Sequence, residues 1–210
     1  MKRLLVITIL LSISVTSAQI RWDQLTKVTD SDSATPALEE WQQNVEAKYK
    51  QDGLIVPTFS TWFVITADSL NTLFPRHRFF AISWSEMPTP GKEKEAIGLA
   101  IDLEITLVCD AEGKIAKEVH HTGNYEAFGE LLNAANVVIR STDDAKLVWN
   151  AFCGIHQKHW QKQPPIKIDG KTWHLGDVTI GRFHYYYEVL LDADFRVASA
   201  KLHADEIKKP

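Results

Sequence analysis

The stretch Gly98-Leu-Ala-Ile-Asp-Leu-Glu-Ile-Thr-Leu-Val-Cys109 decides the fold that the sequence predicts. Every second residue is apolar, whereas the opposite side carries Asp102, Glu104 and Thr106. This period of two is typical of an antiparallel strand with one face in the core and one in solvent. The following Asp110-Ala-Glu-Gly113 has turn residues, so the chain is expected to return beside the strand.

Strands and helices predicted elsewhere extend this arrangement. Runs rich in Phe, Trp, Tyr, Ile and Val predict strands at 59–66, 78–85, 171–175, 179–191 and 196–204. Apolar residues at three- and four-residue spacing predict helices that begin near Pro36, Asn124 and Ser141, the last with Asp144 in the place of a capping-box acid. The fold class is therefore α+β, with an antiparallel sheet and two or three helices packed on one face.

Aromatic residues occupy both sides of the predicted strand 179–191. One side carries Phe183, Tyr185, Tyr187, Val189 and Leu191. The other side carries His184, Tyr186 and Glu188. Because side chains alternate across a strand, this pattern indicates either a central strand of the sheet or the lining of a groove.

Two predicted turns resemble each other. Val108-Cys-Asp-Ala-Glu-Gly-Lys-Ile-Ala116 aligns with Leu190-Leu-Asp-Ala-Asp-Phe-Arg-Val-Ala198, and the two differ in character at one position. A helix and then strands precede each turn, which indicates two halves, about 37–122 and 123–210, that repeat one unit. Asp is common in turns because it bonds its own backbone, so coincidence is the alternative.

The N-terminus has the pattern of a secretory signal peptide. Residues 1–18 comprise Lys2-Arg3, an apolar run of about a dozen residues, and the small residues Thr16-Ser17-Ala18. The run is shorter than the roughly 20 residues that a spanning helix requires. We expect cleavage after residue 18 and export to the periplasm or the cell exterior, with 19–36 as a flexible leader and 37–210 as one α+β domain.

Composition favours a well-packed domain and disfavours some partners. Seven Trp, nine Phe and five Tyr supply large side chains for a core. The net charge of −4 becomes −6 without Lys2 and Arg3, because 21 basic residues then face 27 acidic ones, and this balance disfavours nucleic acid as a partner. Charged residues interrupt the later apolar stretches, so no transmembrane segment is predicted after cleavage.

Residues 139–204 resemble the PepSY family within the cystatin-like helix-on-sheet arrangement. The motifs that carry the resemblance are Ile139-Arg-Ser-Thr-Asp-Asp-Ala145, Tyr185-Tyr-Tyr-Glu-Val189, and the turn from Asp192 to Val197. The resemblance implies a cystatin-like unit, duplicated if both halves share it, in an exported non-catalytic module of the kind linked to peptidase inhibition or to sensing at the cell envelope. The matched positions are structural, so no functional residue is carried over.

The histidines give the pattern closest to a metal site. His156 and His159 are three residues apart on a predicted helix, and zinc requires convergent nitrogen or thiolate ligands. A third ligand would come from His120, His121, His174 or His184. No His-Glu-x-x-His motif is present, and His156 also continues an apolar helix face, so a packed imidazole is the alternative. We predict no cofactor.

Four residues are candidate ligand contacts. Arg76 and Arg78 form a compact basic patch flanked by aromatic residues, which suits an acidic ligand. His184 and Tyr186 lie on the more polar face of their strand, where they would line a groove.

The two cysteines, Cys109 and Cys153, leave two possibilities open. An exported chain meets an oxidising compartment, where the pair can form a disulfide. Both also fall on or beside apolar faces, so two separate buried thiols are the alternative.

These patterns predict a secreted, non-catalytic binding module. The sequence contains no Gly-x-Ser-x-Gly nucleophile motif and no glycine-rich phosphate loop. The module would take a peptide, a protein or an apolar ligand on its sheet face or on the loops at the end of the sheet. Two alternatives are a secreted metal-assisted hydrolase that uses clustered histidines, and an envelope protein with a structural or interaction role.

Overall fold

The computed structural model describes residues 24–53, 58–85, 105–120, 125–156, 165–180 and 182–206. The helices in these ranges are α1 (Thr35–Gln51), α2 (Asp68–Leu73), α3 (Glu126–Ala134) and α4 (Thr142–His156). The strands are β1 (Leu25–Lys27), β2 (Thr58–Ile65), β3 (Arg78–Ser85), β4 (Ile105–Cys109), β5 (Ile115–His120), β6 (Ile166–Lys167), β7 (Thr172–Ile180), β8 (Phe183–Leu191) and β9 (Val197–Glu206).

The described strands pair antiparallel in two separate sheets. Sheet 1 has the order β1-β2-β3-β4-β5, and sheet 2 has the order β6-β7-β8-β9. The predicted α+β class with antiparallel pairing is confirmed, and the chain divides its strands between two sheets rather than one. β8 lies between β7 and β9, so the aromatic residues on both its faces belong to a central strand.

The elements stack in four layers. α1 covers one face of sheet 1, where Leu38 belongs to the same buried cluster as Leu107 of β4. The opposite face of sheet 1 and one face of sheet 2 enclose α2, α3 and α4 in a continuous core. That core joins Val108 of sheet 1, Phe152 of α4 and Tyr187 of sheet 2. The two halves of the chain therefore share one core.

Strand β4 of sheet 1 is buried on both faces, unlike the half-solvated strand that the alternation predicts. All five residues of β4 are buried. Leu107 and Cys109 face α1, whereas Val108 faces the enclosed helices. Thr106 tolerates this dry position because its hydroxyl donates a hydrogen bond of 2.9 Å to the Ile155 carbonyl oxygen of α4. The rest of the predicted strand, residues 98–104, lies outside the described residues.

Local sequence signals start the two long helices. Pro36 occupies the first turn of α1, where no backbone hydrogen bond is lost. At the start of α4 the Asp144 amide donates to the Ser141 hydroxyl at 3.2 Å, and the Ser141 amide donates to the Asp144 carboxylate at 2.9 Å. This reciprocal pair is the predicted capping box. Burial opposes ionisation of Asp144, but the bonds from the amides of Arg140 and Ser141 lower its pKa overall.

The β4–β5 turn and the β8–β9 turn have the same hydrogen bonds. The Oδ1 atoms of Asp110 and Asp192 each accept the backbone N–H groups two and four residues later, at 2.8 to 3.0 Å. Both strand pairs shift register directly before that Asp. The residue three positions after the Asp has a positive φ in each turn, +84° at Gly113 and +64° at Phe195. The likeness of the two turns in sequence therefore extends to their geometry.

The two halves also repeat one order of elements. α1 is followed by β2 to β5, and α4 is followed by β6 to β9, so each half is a helix with a four-stranded antiparallel meander. Superposing the two turn aspartates aligns the cross-strand pair Ala81–Thr106 of sheet 1 with the pair His174–Glu188 of sheet 2. In each half the helix covers the corresponding face of its own sheet. Each half thus has the architecture of one repeating unit.

α3 joins the edges of the two sheets, since it contacts both β5 and β9. The side-chain amide of Asn133 donates to the Val197 carbonyl oxygen of β9 at 2.9 Å. Gly129 permits this close approach, because a Cβ atom at that position would lie 2.5 Å from the Ala200 carbonyl oxygen. A helix with a larger residue there would have to move away from β9.

Several stretches differ from the predicted elements. Leu25–Lys27, inside the predicted flexible leader 19–36, forms β1 and pairs with β2. The predicted strand 179–191 is divided, because Ile180 completes β7 and Phe183 begins β8. The short α2 and β6 have no counterpart among the predicted elements. Within the described part of the chain no helix has the length and apolar character to cross a bilayer, and residues 1–18 lie outside that part.

Candidate functional site

The candidate site is the face of sheet 2 that points away from α3 and α4, which we call the outer face. Along β8, Tyr187, Val189 and Leu191 are buried beneath the helices. The alternating residues of β8 therefore point outward. The described residues of the outer face are Ile166, Thr172, His174, His184, Tyr186, Glu188, Leu190, Ser199, Lys201, His203 and Asp205.

Tyr186 lies between two imidazole rings at the centre of the outer face. The His174 ring on β7 stacks on it with the centroids 4.1 Å apart. The His203 ring on β9 is nearly parallel to it at 4.9 Å, and the His184 ring is 5.4 Å away along β8. Burial, together with a hydrogen bond to the Asp205 carboxylate, raises the pKa of Tyr186. Tyr186 therefore remains a neutral phenol and its ring is held in place.

Glu188 ties the same two histidines together. Its Oε2 atom lies 3.4 Å from His174 Nε2, and its Oε1 atom lies 3.2 Å from His203 Nε2. The three side chains keep between 21% and 24% of their surface exposed, so solvent reaches them without surrounding them. A neutral imidazole that donates from Nε2 presents Nδ1 as an acceptor. We call His174, His184, Tyr186, Glu188 and His203 the histidine cluster.

The histidine cluster presents imidazole, phenol and carboxylate groups that hydrogen-bond and stack. Its carboxylate contacts two imidazoles. Ring stacking and imidazole–carboxylate contacts across three strands hold the side chains in place before any partner binds. Side chains that are already ordered lose less conformational entropy on binding, which favours association.

Four exposed apolar side chains lie in sheet 2 or in the turns at one end of it. The exposed fractions are 43% for Ile166, 52% for Ile168, 40% for Leu190 and 37% for Phe195. Ile166 pairs with His174 across β6 and β7. Ile168 and Phe195 belong to the two turns at the same end of sheet 2. We call these four residues the apolar rim.

The structure divides the predicted ligand contacts between the two sheets. His184 and Tyr186 lie together in the histidine cluster. Arg78 belongs to sheet 1, where its guanidinium donates two hydrogen bonds to the Asp32 carboxylate at 2.7 and 2.6 Å. Those bonds lower the pKa of Asp32 and raise the pKa of Arg78. Arg76 is exposed in the turn before β3. Of the two residues of the predicted basic patch, Arg78 is therefore engaged in a structural ion pair, whereas Arg76 is exposed.

His156, the first residue of the metal hypothesis, is packed in the helix layer. Only 1% of its surface is exposed. Its ring lies 4.3 Å from the Phe152 ring and 5.0 Å from the Tyr125 ring, measured between centroids. His156 is therefore a packed imidazole, which is the alternative to a metal ligand.

The other histidines of that hypothesis are dispersed. His174 and His184 lie on the outer face of sheet 2, and His120 ends β5 in sheet 1. His121 and His159 lie outside the described residues. Among the residues that are described, no group of three His, Cys, Asp or Glu side chains is arranged to hold a metal ion.

No disulfide joins Cys109 and Cys153, both of which are described. Cys109 faces α1, whereas Cys153 packs against the core on the other side of sheet 1. Desolvation by burial raises the pKa of the Cys109 thiol to about 11. Cys109 therefore stays protonated near neutral pH and is a packing residue rather than a nucleophile.

His203 is the residue of the site that sequence reasoning misses. Its signal is the β8–β9 turn, because pairing the strands outward from that turn places His203 opposite Tyr186. Counting residues from the turn gives this pairing only if the register shift between Leu190 and Leu191 is known. Alternation alone places Glu188 on the correct face, but its contacts to two neighbouring strands depend on the assembled sheet.

A second concave surface lies between α3 and β9. Its volume is about 410 Å³. It is lined by Glu126, Gly129, Glu130, Asn133, Ala198, Ser199, Ala200 and Lys201. Three charged side chains in so small a groove suit a polar ligand better than an apolar one.

Comparison with protein-family models finds no match for this chain. Comparisons with curated proteins and with solved structures find no match either. We therefore infer the function of this chain from the chemistry of its site.

Proposed function

We propose that this chain is an exported, non-catalytic binding module that holds a protein partner on the outer face of sheet 2. The observation that carries the proposal is the apolar rim beside the ordered histidine cluster. Ile168 and Leu190 leave 52% and 40% of their surfaces exposed. Keeping apolar surface in water is unfavourable, and a partner that covers it gains roughly 25 cal/mol per Å² of apolar area.

The shape of the outer face favours a protein over a small molecule. Small-molecule sites are usually concave and bury most of the ligand. The outer face is one side of a sheet, with its central ring, Tyr186, already covered by His174 and His203. Exposed aliphatic side chains that lie beside aromatic and polar groups are a combination found in protein interfaces.

The sequence supports the location and class of the module. Residues 1–18 have the pattern of a signal peptide, so the chain is expected to act outside the cytoplasm. The resemblance of residues 139–204 to the PepSY family implies an exported module without catalytic activity. All of sheet 2 except the last two residues of β9 lies within 139–204, so nearly all of the outer face belongs to the segment that carries the resemblance.

Site-specific photocrosslinking in the producing cell tests the proposal. The photoreactive residue p-benzoylphenylalanine is introduced at Leu190 on the outer face or, as a matched control, at Gln43 on the exposed side of α1. We expect one discrete adduct from position 190 and none of that mass from position 43. Identical adducts from both positions, or no adduct from position 190, would contradict the proposal.

A competition experiment then tests whether the adduct depends on the outer face. Purified protein is added in excess before irradiation, either unmodified or as Leu190→Asp, whose folding is first checked by circular dichroism. We expect the unmodified protein to suppress the adduct and the Leu190→Asp variant to be at least about tenfold weaker, because a charge then replaces an interface aliphatic. Equal suppression by the two proteins would show that Leu190 is outside the contact.

A further inference from the structure

β9 is the longest strand at the margin of either sheet. It comprises ten residues, whereas the other marginal strands β1, β5 and β6 comprise three, six and two. Within the described part of the chain, β8 is the one strand that pairs with β9. Natural sheets usually keep their edge strands short or covered, because unpaired backbone groups pair readily with another chain. A long edge strand is therefore a candidate for strand addition.

The fold covers the first part of the β9 edge. The Val197 amide donates to the Val137 carbonyl oxygen at 2.8 Å. Further along, α3 lies so close that a Cβ atom at Gly129 would be 2.5 Å from the Ala200 carbonyl oxygen. Among the described residues, no backbone hydrogen bond from outside sheet 2 reaches 201–206. We call residues 201–206 the open edge.

The hydrogen bonds of β8 show which backbone groups of β9 point away from the sheet. The Leu191 amide donates to the Lys171 carbonyl oxygen and therefore points toward β7. Leu190 points the other way, toward β9, where it pairs with Ser199. Because this direction alternates along a strand, every second residue of β9 after Ser199 bonds to β8. The residues that direct their amide and carbonyl groups away from β8 are Ala200, Leu202 and Ala204.

The side chains of the open edge are complementary in charge to a second copy of themselves. The segment reads Lys201-Leu-His-Ala-Asp205, with a base and an acid at equal distances from His203. Antiparallel pairing of two copies about His203 places Lys201 of each copy opposite Asp205 of the other. The same register pairs Leu202 with Ala204 of the second copy, and these residues carry the unpaired backbone groups. A shift of two residues in either direction removes both pairs of opposite charge.

We infer that the open edge pairs antiparallel with the open edge of a second copy of this chain, with His203 at the two-fold axis. The inference is independent of the proposed function, because it concerns the edge of sheet 2 rather than its outer face. A two-fold contact requires a surface that is complementary to itself. Opposite charges directly across two strands stabilise their pairing, and Lys201 and Asp205 supply one such pair on each side of the axis. The dimer joins the two copies of sheet 2 into one continuous sheet.

Charge reversal and its rescue test the register, with the dimer dissociation constant measured by analytical ultracentrifugation of proteins whose folding is checked by circular dichroism. We expect Lys201→Asp and Asp205→Lys each to raise the constant at least about tenfold, because like charges then face each other on both sides of the axis. The double variant Lys201→Asp/Asp205→Lys restores opposite charges and should return the constant to within about threefold of the unmodified value. An unmodified protein that is monomeric up to about 0.1 mM, an unchanged constant in both single variants, or no recovery in the double variant would each overturn the inference.

Disulfide crosslinking locates the axis. In this register the two copies of position 203 are directly opposite with Cα atoms about 4.5 Å apart, so we expect His203→Cys to form a covalent dimer under mild oxidation. Ser199→Cys is the matched control on the same strand and face, because its two copies are more than about 20 Å apart and should form none. The unmodified protein controls for the thiols of Cys109 and Cys153. Equal crosslinking at positions 199 and 203, or none at position 203, would overturn the inference.

Discussion

The two sheets are built alike, yet the face of sheet 1 that points away from α1 and the outer face of sheet 2 carry different residues. In sheet 1 this face is covered by α4 and carries Ala81, Thr106 and Val119, none of which is exposed. The equivalent positions in sheet 2 carry His174, Glu188 and Lys201. A covered face has to be apolar or internally hydrogen-bonded, whereas an open face can hold ionisable groups. The difference shows that neighbouring layers, rather than strand topology, set the composition of a sheet face.

The segments that precede the two equivalent helices are also held differently. In the first half, the Asp32 carboxylate before α1 accepts two hydrogen bonds from the Arg78 side chain. In the second half, backbone bonds of 2.9 and 2.8 Å join Ile139 to Phe195 and Val197 to Val137. The first attachment depends on charge and therefore on pH, whereas the second does not.

Exchanging one residue between the two faces should have the largest effect. Thr106→Glu places a carboxylate under α4 and removes the hydrogen bond to Ile155, so we expect a loss of about 4 kcal/mol or more in the free energy of unfolding. The reverse change in the open face, Glu188→Thr, should cost about 1 kcal/mol or less. Urea unfolding of both variants measures the difference. Losses of similar size would mean that the two faces are equally shielded from water, which would contradict the difference between them.

Gly176 tests how closely α4 packs on the inner face of sheet 2. A Cβ atom there would lie 1.9 Å from Trp149 Cζ2, and the φ of +64° disfavours any other residue. We expect Gly176→Ala to cost about 3 kcal/mol, from strain and from displacement of the indole. Gly53 is the control, because its φ is +68° but no atom lies within 4 Å of its Cβ position. Gly53→Ala should cost only about 1 kcal/mol, and equal losses would remove packing as the cause.

The two equivalent turns should respond equally to loss of their aspartates. Asp110→Ala and Asp192→Ala each remove two hydrogen bonds from backbone amides, so each should lower the free energy of unfolding by about 1 to 2 kcal/mol. The comparison is made by urea unfolding under one set of conditions. A difference of more than about 1 kcal/mol between the variants would indicate that the turns are equivalent in form but not in their contribution to stability.

The smallest expected effect is the pH-dependent one at Asp32. Its pKa is lowered in the folded protein by the hydrogen-bonded Arg78, so its stabilisation is present above the ordinary Asp value of about 3.9 and is lost as the pH falls through the lower folded value. The Arg78 side chain is 39% exposed, and screening therefore limits the loss in Asp32→Asn to about 1 kcal/mol at pH 7.

Urea unfolding of the unmodified protein and of Asp32→Asn between pH 2 and pH 8 checks this sign. The gap between the two proteins should be constant above about pH 5 and should close below about pH 3. A gap that widens as the pH falls would contradict the assigned cause.

The sequence predicts features that depend on near neighbours in the chain. α1 ends at Gln51 and β3 spans Arg78–Ser85 as predicted, because spacing and breakers are local signals. Whether a face is covered is not local. The alternation around Thr106 looks half-solvated, and the helix that covers it begins only at Thr142. The histidine cluster is equally non-local, because His174, Glu188 and His203 come from three strands whose register is set by turns.

We expect this protein to bind its partner on the outer face of sheet 2. Nuclear magnetic resonance of the isotope-labelled protein, titrated with the purified protein captured at position 190, tests it most directly. We predict shifted or broadened signals for Ile168, His174, Tyr186, Leu190 and Phe195, with the signals of α1 unchanged. Changes concentrated on α1 or in the groove between α3 and β9, with the outer face unaffected, would contradict the account.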